Sequence, residues 1–446
     1  VDVISKVTTR ALKEAPGLIV VGAVVEIDES KSDPFGTAQR EAAERIGLNL
    51  SSLPPTARRF QQLPLVALCT DSGLPAGASI RRGGEPLQVS HLLATQHDFA
   101  LDSHRRLRGV LSVHGVEDRD LAEDVDDLTD RSSWRAVVHA DGNGVGAVFI
   151  AMSALLRLDD ATFSENLQNW SQGYREFSLG LELATERAFA NAVARVGAQH
   201  TFPVLLGGDD ITVEVSAGHA REFTTEYLRA FAENTVEAAS SLRKFVPESL
   251  HNQVPTHFSA AAGIAVVKRS FPFSSAYELA EDLLASAKTT KKSTFIDGTP
   301  VSAFDFHVLY DSTHTGLGDI RGGRKSDDGI RLWGGPYLAH APADNATGYC
   351  TGADLSRLVG QLALLGRRRQ TKLVAAAVAE NGAAADRALE NMAATDRETN
   401  LDPVRDLVLD TASGRTLLLD AIDILDVEGT PRLTSRASTP DGASHE

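Results

Sequence analysis

Thr201-Phe202-Pro203-Val204-Leu205-Leu206-Gly207-Gly208-Asp209-Asp210-Ile211-Thr212-Val213-Glu214-Val215 is the stretch on which the reading of this chain turns. β-favouring residues stand on both sides of Gly207-Gly208-Asp209-Asp210, so the tetrapeptide reads as the tip of a hairpin. The glycines permit positive φ and leave the backbone open to close approach. The aspartates then project from a fixed tip. Alone this is weak evidence, because acidic glycine turns are mostly just turns.

Outward from the tip the pattern is orderly. Before it, the apolar run 134–140 leads into Asp141-Gly142-Asn143-Gly144, and residues 161–196 place Trp170, Phe177, Leu181 and Ala188 near helical spacing. After it come a helix over 220–245, a strand over 258–267, an amphipathic helix over 275–288 and a strand over 302–309. The order is β-α-β-β-α-β-α-β, an α+β arrangement whose βαββαβ core is ferredoxin-like.

In such a sheet the first strand adjoins the central hairpin, which brings Asp141 to Asp209 and Asp210. Three carboxylates within about 4 Å of one another repel by about 1 to 4 kcal/mol per pair, so the cluster calls for a cation. Oxygen ligands without His or Cys favour Mg2+ or Mn2+ over zinc. Lys288 ends the amphipathic helix, and Lys292 shares its face if the helix continues; both are candidates for holding a triphosphate. The plain alternative is that lysine is favoured in the last turn of any helix. His139 is expected to point to the face opposite Asp141.

The flanks are less regular. Residues 17–27 read as β-like, 37–46 as helical, 50–55 as a Pro/Ser break, and 64–69 as a strand before the turn Ser72-Gly73-Leu74-Pro75. Residues 117–130 are acidic and read as a solvated linker or helix face. A Gly/Asp-rich loop over 316–335 precedes helices over 355–365, 372–379 and 384–393, read as a small bundle, and a short helix over 417–425. Trp333 and Tyr337 are expected to anchor this tail, and Arg367-Arg368-Arg369 to be a solvated helix end. Residues 429–446 have a disordered composition. Four segments result: a mixed α/β region 1–130, a central domain 131–311, a loop and helical domain 312–428, and the tail 429–446.

The formal net charge of −16 argues against bulk nucleic-acid binding but leaves room for nucleotides held by a cation and a few local lysines. Two cysteines, Cys69 and Cys350, exclude a disulfide framework and a CxxC zinc pair, and a cytoplasmic protein is expected. No apolar run reaches the roughly 18 residues of a membrane span. The chain begins at Val1 without a methionine, which leaves room for a start upstream.

Asp141-Gly142-Asn143-Gly144, Gly207-Gly208-Asp209-Asp210, Ser259-Ala260-Ala261-Ala262-Gly263-Ile264-Ala265, and Tyr277-Glu278-Leu279-Ala280 through Ala287-Lys288 occur in that order. Together they resemble the second palm domain of the large polymerase-like subunit of type III CRISPR effector complexes, and more distantly the GGDEF nucleotide cyclases. The segment around Cys69-Thr70-Asp71-Ser72-Gly73 is similar to such subunits too. The resemblance implies a palm fold, synthesis of signalling oligonucleotides from ATP in anti-phage defence, and partners in a defence complex. It implies that Asp141 and Asp210 are metal ligands, that Asp209 is a ligand or catalytic, and that Gly207 and Gly208 lie against the nucleotide. By the same likeness Gly142 and Asn143 join the nucleotide site, with Lys288 and Lys292 on phosphates.

Some features depart from the family. Asn143 stands where a second acidic residue is common, cysteine zinc ligands near Cys69 are missing, and His97-Asp98 is a lone dipeptide without the partners of a nuclease. No complete first palm precedes residue 130, so either residues 1–130 are a reduced palm or two chains pair as a homodimer. Three functions follow as alternatives: a metal-dependent nucleotidyltransferase, a non-catalytic nucleotide-binding or scaffolding subunit, and a GGDEF-like cyclase, against which Ile211 stands in place of the expected aromatic.

Overall fold

The computed structural model describes residues 2–15, 17–53, 65–82, 84–117, 121–122, 125–128, 133–292, 295–296, 299–310, 316–326, 329–340, 348–365, 367–379 and 414–429. The chain divides into two compact units. One comprises Val1–Arg119, Gly144–Gly180 and Glu237–Val254; the other comprises Asp120–Asn143, Leu181–Val236 and Pro255–Glu446.

The first unit holds helices α1 (Asp2–Glu14) and α2 (Pro34–Ser51), the hairpin β1 (Ala78–Arg82) and β2 (Glu85–Val89), and helix α3 (His91–Val113). Asp33 caps α2 by accepting from the Gly36 amide at 3.0 Å, and Pro34 follows as its first residue. Ser90 caps α3 through the Leu93 amide. Phe35 stacks between Phe163 and Trp170, with centroids 5.6 and 5.3 Å away. Residues 17–27 form no strand. Their composition suits a sheet, but a strand exists only against a ladder partner, and none pairs with them among the described residues. Residues 65–69 give only a bridge from Leu68 to Pro75, closing the turn in which Gly73 takes φ +65°.

The second unit is built on a six-stranded sheet. In chain order from residue 134 the elements are β3 (Trp134–Gly142), α4 (Val145–Leu155), which belongs to the first unit, α5 (Phe163–Val196), whose first half also does, β4 (Thr201–Gly207), β5 (Asp210–Ser216), α6 (Ala220–Arg243), whose last residues fall in the first unit, β6 (Ala260–Lys268) and α7 (Phe273–Ala287). The short hairpin β7 (Phe295–Ile296) and β8 (Thr299–Pro300) precedes β9 (Ala303–Val308), and β10 (Tyr337–Leu338) follows later. The sheet order is β10-β9-β6-β3-β5-β4, in which β6-β3-β5-β4 are all antiparallel and β9 adds parallel to β6 through the crossover helix α7. This is the ferredoxin-like order the sequence implies. Strand alternation puts Val137 on one face with Ala265 and Val267, against Ala276, Leu279, Ala280 and Leu283 of α7.

The helix α4 is an addition to the sequence reading. Where the acidic stretch 117–130 is described, Glu117, Asp126 and Asp127 are exposed while Leu121, Ala122 and Leu128 are buried.

Helices α8 (Leu317–Gly322), α9 (Gly352–Ala363), α10 (Arg367–Ala379) and α11 (Leu418–Glu428) complete the described structure. A capping box, Thr351 with Asp354, starts α9, and α11 packs on it. The expected helix over 384–393 and the tail 430–446 lie outside the described residues. Tyr337 is a packing anchor as anticipated: it is fully buried, stacks on Phe304 and Phe306, and donates its hydroxyl to Asp420 Oδ2 at 2.5 Å. No helix among the described residues is long and apolar enough to cross a membrane.

Asp420 gives the fold a pH signature. Burial pushes its carboxyl up to about 7, against the hydrogen bonds from Tyr337 and the Gly334 amide. Because the folded value lies above the unfolded one, its stabilising share is complete in acid, below the unfolded value near 3.8, and is lost as pH rises towards 7. The loss is on the order of 4 kcal/mol at most. Asp420→Asn is expected to flatten that segment of the stability profile, which urea melts at about pH 5 and about pH 8 will show; an unchanged profile would remove Asp420 as its source.

Candidate functional site

The site is the end of the sheet where β3 stops and the β4–β5 hairpin turns. Gly207 pairs with Asp210 across the tip, and Gly208 takes φ +63°. A side chain at either glycine would meet no atom within 4 Å, so the tip is open. Ala140 is in register with Ile211 and His139 with Thr212, which places Asp141 beside Asp210 on adjacent strands. On the other side Asp141 pairs with Ala261 and Gly142 with Ala260. The four β3 and β5 positions Asp141, His139, Asp210 and Thr212 therefore share the α7 face of the sheet. This corrects the expectation for His139: residues two apart in a strand lie on the same face.

The His139 ring is buried against Tyr277 of α7, with centroids 5.1 Å apart. Its Nδ1 lies 3.0 Å from the carbonyl oxygen of Ile211, an acceptor, which fixes the proton on Nδ1 and leaves Nε2 as the outer nitrogen.

The electrostatics follow from this crowding. Burial first, then the neighbouring Asp210 charge, push Asp209 above the usual carboxylate range, while its own amide and that of Gly142 pull the other way. Burial also raises Asp210, and the His139 ring opposes that shift. Beneath them Tyr227 of α6 is fully buried, and its phenol is raised by burial and then by the charges of Asp209 and Asp210. Its hydroxyl has no hydrogen-bond partner among the described residues.

Asn143 follows β3 and is clamped by Ser259. Its amide donates to the Ser259 carbonyl at 2.7 Å and its side-chain nitrogen to Ser259 Oγ at 3.0 Å. That leaves Asn143 Oδ1 buried without a partner among the described residues. Ser259 was part of the motif already quoted; its role as a clamp is visible only in space.

Asp141 is held by Lys288, whose ammonium forms an ion pair with Oδ2. Helix α7 ends at Ala287, where the Thr289 and Thr290 hydroxyls satisfy two of the last turn's orphan carbonyls by donating to the Ser286 and Ala287 oxygens. The chain then runs on as a 3-10 turn, Lys288–Lys292. In that geometry residues three apart eclipse, so Lys291 rather than Lys292 aligns with Lys288. Burial first and then the Lys291 ammonium lower the Lys288 pKa. The side chain of Lys292 lies outside the described ones. Lys291 is thus a basic residue the i, i+4 reading passed over, because the helix stops one residue before that spacing begins to count.

Among the described residues no three His, Cys, Asp or Glu side chains are grouped closely enough to hold a metal ion. Asp209 and Asp210 are adjacent, while the third carboxylate is drawn to Lys288. The donors still suit a hard divalent cation: two crowded carboxylates whose charge is uncompensated, and the orphaned carbonyl oxygen of Asn143.

Residues 135–296, from β3 through β7, match the family model for Cas10/Cmr2, second palm domain. No curated protein matches the chain. The segment is thus a palm of the type found in polymerase- and cyclase-like subunits of type III CRISPR systems, as the motif order implied.

Proposed function

We propose that this chain is a divalent-metal-dependent nucleotidyltransferase or cyclase that uses nucleoside triphosphate, ATP first, to make signalling oligonucleotides in CRISPR-type or CRISPR-derived defence. The observation that supports this reading is the placement of Asp209-Asp210 and Asp141 at one open sheet end, with Lys288 on the Asp141 carboxylate. Asp209, Asp210 and Asp141 would hold Mg2+ or Mn2+, with Asn143 Oδ1 at hand. Bound there, such ions activate an attacking hydroxyl and stabilise the leaving pyrophosphate. Gly207, Gly208 and Gly142 let the nucleotide approach the backbone. Lys288 passes from Asp141 to the phosphate tail when the triphosphate enters, and Lys292 remains a candidate phosphate ligand from the sequence motif alone. The second nucleotide comes from a homodimer partner or from residues 1–130 acting as a reduced palm, since a loosely held acceptor would forfeit most of the rate.

A non-catalytic nucleotide-binding or scaffolding palm is the second reading, favoured by the lack of a ready-made metal group among the described residues. Incubation with each nucleoside triphosphate plus Mg2+ or Mn2+, followed by mass spectrometry, separates them. New phosphodiester products support the enzyme; nucleotide binding with none supports the scaffold.

Lys288→Ala is expected to weaken triphosphate binding about tenfold or more, since a charge-assisted bond is worth about 1.5 to 3 kcal/mol. Adenosine, which has no phosphates, should bind as before. Equal losses for both ligands in calorimetry would return Lys288 to the role of a helix-end charge.

A further inference from the structure

The last turn of α7 is tied down from outside the matched palm. Arg321, on α8, reaches Ser286 Oγ with Nη1 at 2.8 Å and Asp305 Oδ2 with Nη2 at 2.7 Å. Asp305 lies on β9 and is 1% exposed; its other oxygen accepts from the Phe306 amide at 2.9 Å. Asp305 is the register partner of Gly263, which is in turn the partner of His139, so this network stands in the sheet row next to the site. The approach of α8 is fixed twice more. Asp282 of α7 accepts from the Leu317 amide at 3.1 Å, and the Arg321 guanidinium stacks 5.3 Å from the Trp333 ring.

A buried carboxylate needs a cation, and one guanidinium arm satisfies that need. The second arm is not explained by Asp305. It goes instead to Ser286, two residues before Lys288. We propose that Arg321 is a positioning residue for Lys288: its two-armed bridge from Asp305 to Ser286 fixes the end of α7 so that the Lys288 ammonium stands over Asp141, where the phosphate tail arrives. The inference rests on the reading of Lys288 as a phosphate ligand. It makes residues beyond 296 part of the nucleotide site.

Lysine cannot replace this arginine, because a single ammonium lacks the rigid fork that serves two acceptors at once. Arg321→Lys and Ser286→Ala, both in the full chain, are therefore the test variants. Ser286→Ala removes the bond from Arg321 and the hydroxyl's own bond to Asp305, leaves the Arg321–Asp305 ion pair intact, and keeps the test usable if Arg321→Lys fails to fold. Affinities for a non-hydrolysable ATP analogue and for adenosine are measured by calorimetry in wild-type and Lys288→Ala backgrounds.

Each variant is expected to weaken the analogue about 2- to 10-fold in the wild-type background, the worth of one hydrogen bond, with adenosine unchanged. In the Lys288→Ala background the same substitutions should have no further effect, because positioned residues in one network are not additive. A loss that persists without Lys288, a loss shared by adenosine, or no loss at all overturns the proposal. If Lys288→Ala itself spares the analogue, the phosphate reading of Lys288 fails first and the proposal falls with it.

Discussion

Asp210→Asn is expected to reduce product formation to below about one hundredth of wild type while the protein keeps its fold. Partners that merely orient a metal ligand already cost about 10- to 100-fold when lost, so a ligand itself costs more. The substitution removes charge and keeps size. Asp210 opens β5 opposite Gly207, and its carboxyl is already pushed towards the neutral form by burial, so Asn is compatible with the fold. In chelator the melting temperature should therefore hold or rise slightly, because repulsion with Asp209 is relieved. The two readouts are oligonucleotide yield with Mn2+ and thermal denaturation in EDTA. Turnover within a few-fold of wild type would remove Asp210 from the metal site, whatever the melting curve does.

The strands carrying this site were legible because each is a short apolar run closed by small or acidic residues, and because βαββαβ connectivity fixes which strands adjoin. Asp141, Asp209 and Asp210 lie at one sheet end for that reason, although their carboxylates are not gathered into one group. Helix α4 was hidden by its own composition: Val145–Leu155 is apolar nearly all round and shows no period. Residues 17–27 misled in the opposite way, having strand composition without a partner. Local geometry set the other limits. The register of strand alternation decides the face of His139, and the helix stop at Ala287 decides that Lys291 aligns with Lys288. The Asp305–Arg321–Ser286 bridge joins three separate elements, and no spacing in the sequence announces it.

Gly263→Ala is expected to be the most damaging single-methyl change in the palm. Gly263 lies in β6 with 0% to 2% exposed neighbours on both sides, between His139 and Asp305 in the sheet row. A Cβ placed there would fall on the carbonyl oxygen of Ala280 and within 2.5 Å of the Leu284 amide nitrogen. Both are backbone atoms of α7, so no rotamer change relieves the overlap, and Ala280→Gly would not rescue it. The helix must lift as a body. Lifting it opens the contacts of Leu279, Ala280 and Leu283 with Val137, Ala265 and Val267. Overpacking of a core commonly costs about 1 to 3 kcal/mol, and a clash with backbone belongs at or above the upper end. For a unit of this size that is a drop of roughly 6 °C or more in melting temperature. The same movement carries Ser286 and Lys288 away from Arg321 and Asp141, so triphosphate affinity should fall in the fraction that still folds. Thermal melts and analogue binding on the purified variant test both halves. A variant that melts within about 1 °C of wild type would show that α7 does not rest on β6 as closely as the backbone contacts at Gly263 require.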